Sequence, residues 1–217
     1  MSVFHRIKSG TSVLLTLGTI AGTAAPMLDP APSFAQTAFS DVNNNYWAKD
    51  FIQDLSERGI IKGFPDGRFR PDAPVTRAEF AAMIRSVNKA KTRAAVGFVD
   101  VPSNFWARGE IAEAYEMGWM SGYPGNVFRP SQQIPRVQVI VALNNGLGYE
   151  PICNFQDVLS YYNDAGEIQN YALKSVAAAT ERQMVVSYPN PKSLKPNQSA
   201  TRAEVAAFIY QVLVNTN

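Results

Sequence analysis

One short phrase occurs three times in this chain: Phe39-Ser40-Asp41-Val42, Phe98-Val99-Asp100-Val101 and Phe155-Gln156-Asp157-Val158. Each is followed by an arginine at the head of a helical pattern. Repetition constrains the fold strongly, because a unit that cannot bury its own apolar face must bury it against its copies. Asp41 and Asp100 are 59 residues apart and Asp100 and Asp157 are 57 apart, whereas Arg77, Arg136 and Arg202 are separated by 59 and then 66. The third copy therefore carries an insertion. Five steps separate Val42 from Trp47 and Val101 from Trp106, but thirteen separate Val158 from the matching Tyr171, which places the extra stretch near 159–167. Units this long predict one compact body of three parts rather than an open solenoid.

The segment before the first copy reads as a secretory signal over residues 1–35. Arg6 and Lys8 precede an apolar run, and Ser33-Phe34-Ala35 is a small-x-small cleavage site. A retained membrane span fits less well, since Gly18, Gly22 and Pro26 interrupt a stretch already short for the ~20 residues a span needs. The units that follow are expected at 36–92, 93–151 and 152–217.

Export of that kind narrows the chemistry. The single histidine, His5, leaves with the signal, and a single cysteine, Cys153, remains. Histidine-based triads and histidine metal sites are excluded, and no internal disulfide can form. Cys153 reads as a buried small hydrophobe or an unpaired thiol. A net charge of +2 provides no basic field of the kind that nucleic acid selects.

Each unit reads as helix, loop, helix, which gives a mainly α class. Trp47, Phe51, Ile52 and Leu55 share one helix face, as do Trp106, Ile111, Ala114 and Tyr115 in the second unit. Glycine- and proline-rich turns follow at Gly63-Phe64-Pro65-Asp66-Gly67 and Gly122-Tyr123-Pro124-Gly125-Asn126. The second helices carry the stripes Phe80, Met83, Ile84, Val87 and Val205, Phe208, Ile209, Val212. These stripes are expected to meet around a pseudo-threefold axis.

The start of the second helix is the most specific feature. Thr76-Arg77-Ala78-Glu79 and Thr201-Arg202-Ala203-Glu204 are capping boxes, which assigns Thr76, Glu79, Thr201 and Glu204 to folding. The arginines remain unexplained, because a cation in the first turn opposes the helix dipole at ~0.3–1 kcal/mol. Arg136 persists even where Pro135 and Gln138 have replaced the cap. Two readings stand: an anion site beside free helix N–H groups, or arginines that pair with Asp41, Asp100 or Asp157 or tie down loop carbonyls. The aromatics are similarly divided. Trp47, Trp106, Phe64, Tyr123 and Tyr188 suit either core packing or stacking on a sugar face.

The succession F-x-D-V, W-A, G-I-I-x-G-F-P-D-G-x-F-x-P and V-T-R-A-E-F-A-A-M-I over Phe39–Ile84 resembles the S-layer homology (SLH) domain, and three copies cover residues 36–217. The resemblance implies a three-pronged, largely helical spindle with a central helix bundle. It also implies grooves between prongs that hold a secondary cell-wall polysaccharide, often pyruvylated, or a peptidoglycan-linked acidic glycan, without covalent chemistry or cofactor. The family's acid-receiving arginine corresponds to Arg77, Arg136 and Arg202, its aspartate to Asp41, Asp100 and Asp157, and its turn residues to Gly63 and Gly122.

Departures from the pattern rank the grooves. Loss of the threonine cap is expected to leave Arg136 less rigidly held, and Gln183, Ser187 and Pro189-Asn190-Pro191 alter the third turn, so Arg77 is expected to serve the most intact site and Arg202 the next. The predicted location is outside the cytoplasm: cell wall, cell surface or the periplasmic side of an outer membrane. A second reading is an envelope assembly module with a protein partner, or part of a longer product. A glycoside hydrolase is disfavoured, because no asymmetric carboxylate pair is confined to one cleft.

Overall fold

The computed structural model describes residues 39–87 and 91–215; the expected signal segment lies outside them. Seven α-helices follow in order: α1 (Lys49–Glu57), α2 (Arg77–Ile84), α3 (Arg108–Glu116), α4 (Arg136–Leu147), α5 (Phe155–Leu159), α6 (Leu173–Glu181) and α7 (Arg202–Asn215). Two short 3₁₀ turns, Ala165–Glu167 and Asn170–Ala172, precede α6. The described residues contain isolated β-bridges but no strand, so the mainly α class holds.

The apolar stripes are core. Phe80, Ile84, Val205, Phe208, Ile209 and Val212 are wholly buried, with Met83 and Val87 nearly so. Their partners lie in neighbouring units. α1 packs on α7, α3 on α2 and α6 on α4, so the first helix of each unit rests against the second helix of the unit before it, cyclically. Backbone hydrogen bonds close the same cycle. Val75 N–H donates to Ala200 O, Ala200 N–H to Ile134 O and Ile134 N–H to Val75 O, each at 2.9 Å. Because each unit supplies one donor and one acceptor to this ring, removing a unit would leave buried backbone groups unpaired.

The insertion lies earlier than expected. Phe155–Val158 forms most of α5, capped by the Asn154 side chain on Gln156 N–H (2.9 Å) and packed against α6. Cys153, just before it, is an exposed free thiol rather than a buried hydrophobe. The third copy proper begins beyond α5, at Tyr162-Asn163-Asp164-Ala165.

Candidate functional site

Each arginine reaches across the ring into the turn of the next unit. Arg77 donates from Nε to Phe128 O (2.8 Å) and from Nη2 to Ser121 O (2.8 Å). Arg136 donates from Nε to Leu194 O (2.8 Å) and from Nη2 to Val186 O (3.1 Å) and Ser187 Oγ (2.9 Å). Arg202 donates from Nε to Phe69 O (2.7 Å) and from Nη2 to Lys62 O (2.9 Å). The helix N-termini are also occupied: Arg77 and Ala78 N–H donate to Gln132 O and Pro130 O, Arg136 and Val137 N–H to Gln198 O and Pro196 O, and Arg202 and Ala203 N–H to Ala73 O and Pro71 O. The expected anion site on free helix amides is therefore corrected. Neighbouring carbonyls satisfy those donors, and the arginines tolerate the dipole because they bind three turns in place.

The aspartates serve the same turns. Asp41 accepts from Phe69 and Arg70 N–H at 2.8 and 2.7 Å, and Asp100 accepts from Phe128 and Arg129 N–H at 2.7 and 2.6 Å. These carboxylates brace Arg70 and Arg129, whose φ is 59° at each, and so have a structural role in place of the expected ligand role. In the third unit the equivalent is Asp164, which accepts from Leu194 (2.9 Å) and Lys195 (2.8 Å) N–H, whereas Asp157 is exposed on α5. Burial pushes the Asp164 carboxyl up, but the Lys195 and Leu194 amides outweigh it and hold the group below the ordinary carboxylate value. Its contribution is thus present above the unfolded carboxylate pKa, about 3.9, and is lost as pH falls through the depressed folded value. Asp164→Asn should lower stability by ~1.5–3 kcal/mol, and Asp157→Asn should fall within ~0.5 kcal/mol of wild type, both read by chemical denaturation at neutral pH.

The third guanidinium nitrogen distinguishes the three sites. Nη1 of Arg136 forms an ion pair with Glu204 Oε1 at 2.7 Å, and the side chain is 1% exposed, the most tightly held of the three rather than the loosest. Beside it, Trp47 stacks on the turn residue Tyr188 with centroids 5.2 Å apart and planes at 4°. A carboxylate neutralises Arg136 and the side chain is sealed from solvent, whereas Trp47 is half-buried with one face on Tyr188. Among the described residues, Nη1 of Arg77 hydrogen-bonds only to the neutral Gln138 Oε1, at 3.3 Å. Nη1 of Arg202 has no hydrogen-bond or ion-pair partner among the described residues. Burial works against the charged form of both Arg77 and Arg202, which leaves two desolvated cations without a paired carboxylate.

Both arginines border grooves. The Arg77 groove, about 410 Å³, is formed by the turn at Ser121–Tyr123, α4 and Tyr171 of the third unit, and none of its lining side chains is acidic. Tyr123 stacks on the Arg77 guanidinium, 4.8 Å from ring centroid to carbon. The Arg202 groove, about 740 Å³, is formed by the turn at Ile61–Phe64, α2 and Trp106 of the second unit. Trp106 is 62% exposed there. Lys62, Arg85 and Arg202 face Glu79 and Glu110 in that groove, with Arg85 already paired to Glu110 and Glu113. Phe64 lies under Arg202 at 4.8 Å. Each groove thus takes an arginine from one unit, a turn and helix from the next, and an aromatic from the third.

Gly63 and Gly122 line these grooves for a packing reason. An added Cβ would stand 2.3 Å from Phe39 Cε1 at Gly63 and 2.4 Å from Phe98 Cε1 at Gly122. The capping side chains explain why only one groove lacks an acid. Thr76 and Thr201 N–H donate to Glu79 and Glu204 Oε2 at 2.8 and 2.9 Å, closing the boxes with Thr76 and Thr201 Oγ1 accepting from the glutamate amides. Pro135 has no N–H to offer, so α4 has no use for a glutamate at position 138, and Arg77 faces an amide instead.

The S-layer homology domain family matches three stretches of this chain, residues 38–81, 97–139 and 161–206. The chain belongs to the SLH family. The third SLH match begins at Tyr161, which agrees with Asp164 rather than Asp157 as the third aspartate. Among curated relatives, an amylopullulanase of Thermoanaerobacterium thermosulfurigenes is 33% identical over 94% of this chain and 11% of its own length. The cellulosome-anchoring protein of Acetivibrio thermocellus is 31% identical over 59% of this chain and 32% of its own. S-layer protein EA1 of Bacillus anthracis is 26% identical over 95% and 22%. The SLH repeats therefore correspond to a minor part of each of these relatives. Among the described residues, no helix is long and apolar enough to cross a membrane.

Proposed function

We propose that this chain anchors non-covalently to the cell envelope by holding an acidic wall polysaccharide, a pyruvylated one foremost, in the Arg77 and Arg202 grooves. The observation that carries this reading is Arg77, a buried cation opposed by an amide, in a groove with an aromatic wall and no acidic side chain. A carboxylate on a sugar would supply the missing counter-charge, and Tyr123 and Tyr171 would pack on its C–H face. Relatives named for surface layers and cellulosome anchoring support the envelope location. Enzymes among the relatives support the same role, because only a minor part of their length corresponds to these repeats.

Two grooves on one wall polymer add avidity, and the ionic share of the binding weakens with salt. Co-sedimentation of the protein with purified walls, before and after mild acid removal of ketal-linked pyruvate, tests this. Retention should drop sharply on the treated walls and should decline as salt rises. Undiminished retention on treated walls would refute a pyruvyl ligand.

A further inference from the structure

The Arg77 groove does not end at Tyr171. A second cleft of about 580 Å³ shares Asn145 and Tyr171 with it and continues past Arg93, Asn144, Glu150 and Lys174. Either space alone has the size of a small-ligand pocket, ~300–1,000 Å³, so the pair can hold more than one sugar ring.

The cleft has a built wall. The linker between the first two units is pinned to the end of α3, with Thr92 and Arg93 N–H donating to Glu116 O at 2.7 and 2.9 Å. Arg93 is thereby held with Nη1 on Met120 O and Ser121 Oγ, 3.1 Å each. Ser121 is the residue whose carbonyl accepts from Arg77, so two guanidinium groups converge on one turn residue. Across the cleft, Lys174 is exposed on α6. Asn144, almost wholly buried, donates from Nδ2 to Tyr149 O (2.9 Å), while its Oδ1 is buried without a hydrogen-bond partner. Glu150 is the one acidic side chain lining the cleft, against two cations.

We infer that this cleft is a second subsite of the Arg77 groove, which takes the next residue of an acidic oligosaccharide and holds a second anionic group between Arg93 and Lys174. This rests on the glycan-binding reading of Arg77. It adds that the site selects a chain with two spaced charges, with the linker arginine supplying the second contact.

Two probes test it by calorimetric titration of the full chain: a methyl hexoside bearing one carboxyethylidene ketal, and a disaccharide joining that hexose to a hexuronic acid. Wild type should bind the disaccharide more tightly. Lys174→Gln should weaken the disaccharide about threefold, and Lys174→Gln with Arg93→Gln about tenfold, with the monosaccharide unchanged in Lys174→Gln. Lys174 is exposed, so its variant decides the matter even where Arg93→Gln disturbs the Ser121 turn. Should Lys174→Gln bind both probes as wild type does, the second subsite is wrong. The anchoring reading would still stand if Gln138→Glu, which places a carboxylate beside Arg77, lost the Arg77-groove share of the titration for both probes and kept that of the Arg202 groove. Should Gln138→Glu lose that share for neither probe, the Arg77 site fails and the subsite with it.

Discussion

Arg136→Ala should cost the protein about 3–5 kcal/mol of folding stability. The side chain is sealed, bonds Leu194 O, Val186 O and Ser187 Oγ, lies over the Phe208 ring and pairs with Glu204. Its removal strands a nearly buried carboxylate and two carbonyls together, and breaking a buried pair from one side is far more costly than the pair's net worth. In thermal melts the midpoint should fall by about 6–20 °C, at ~2–4 °C per kcal/mol for a domain of this size. Arg58→Ala, which breaks only the exposed pair with Asp54, should change stability by less than about 1 kcal/mol. A loss below about 1 kcal/mol at Arg136 would show that the ring of units does not depend on its arginines.

Gln138→Glu should abolish most binding at the Arg77 groove while leaving the fold intact. Arg77→Ala is a poor test of binding, because Nε and Nη2 hold the turn of the second unit and their loss would change the groove itself. The Gln138 substitution leaves those bonds in place and is nearly isosteric. It would put a carboxylate where Oε1 already sits 3.3 Å from Nη1, the arrangement that Glu204 gives Arg136. With no N–H on Pro135, the new glutamate has no cap to make, so it pairs with Arg77 and opposes an incoming anion. One charge-assisted hydrogen bond is worth ~1.5–3 kcal/mol, so affinity for an acidic sugar should fall by about ten- to a hundredfold. The melting temperature should hold or rise. Unchanged affinity together with an unchanged fold would remove the Arg77 groove from the account.

Much of this was legible in the residues. Helix stripes, capping boxes and the recurring arginine follow from periodicity and local hydrogen bonding, which depend on near neighbours in sequence. A cation in the first turn is misplaced for helix formation, which singles out the arginines, but the carbonyls they meet belong to the next unit and leave no local trace. Periodicity likewise defines an apolar face without naming its partner, so the packing of α1 on α7 was invisible.

Asp157 was misleading because Phe155, Val158 and Leu159 imitate the motif while forming α5. Counting back from the turn would have found the right residue. Arg70 follows Asp41 by 29 and Arg129 follows Asp100 by 29, while Lys195 follows Asp164 by 31 and Asp157 by 38. Gln138 looked like a lost cap. Its meaning emerges only from its place opposite Arg77. Arg93 lies on a linker with no motif, and only its contact with Ser121 brings it to the groove.

The most direct test of a charge-selected groove is the binding of one ketal-bearing hexoside in two forms, as the free acid and as its methyl ester, to the unmodified protein. The two differ by one negative charge and little in shape. Saturable binding of the acid, weakening with salt, beside an ester at least about tenfold weaker, is the predicted result. Equal affinity for acid and ester would contradict the claim that the uncompensated Arg77 guanidinium selects the ligand.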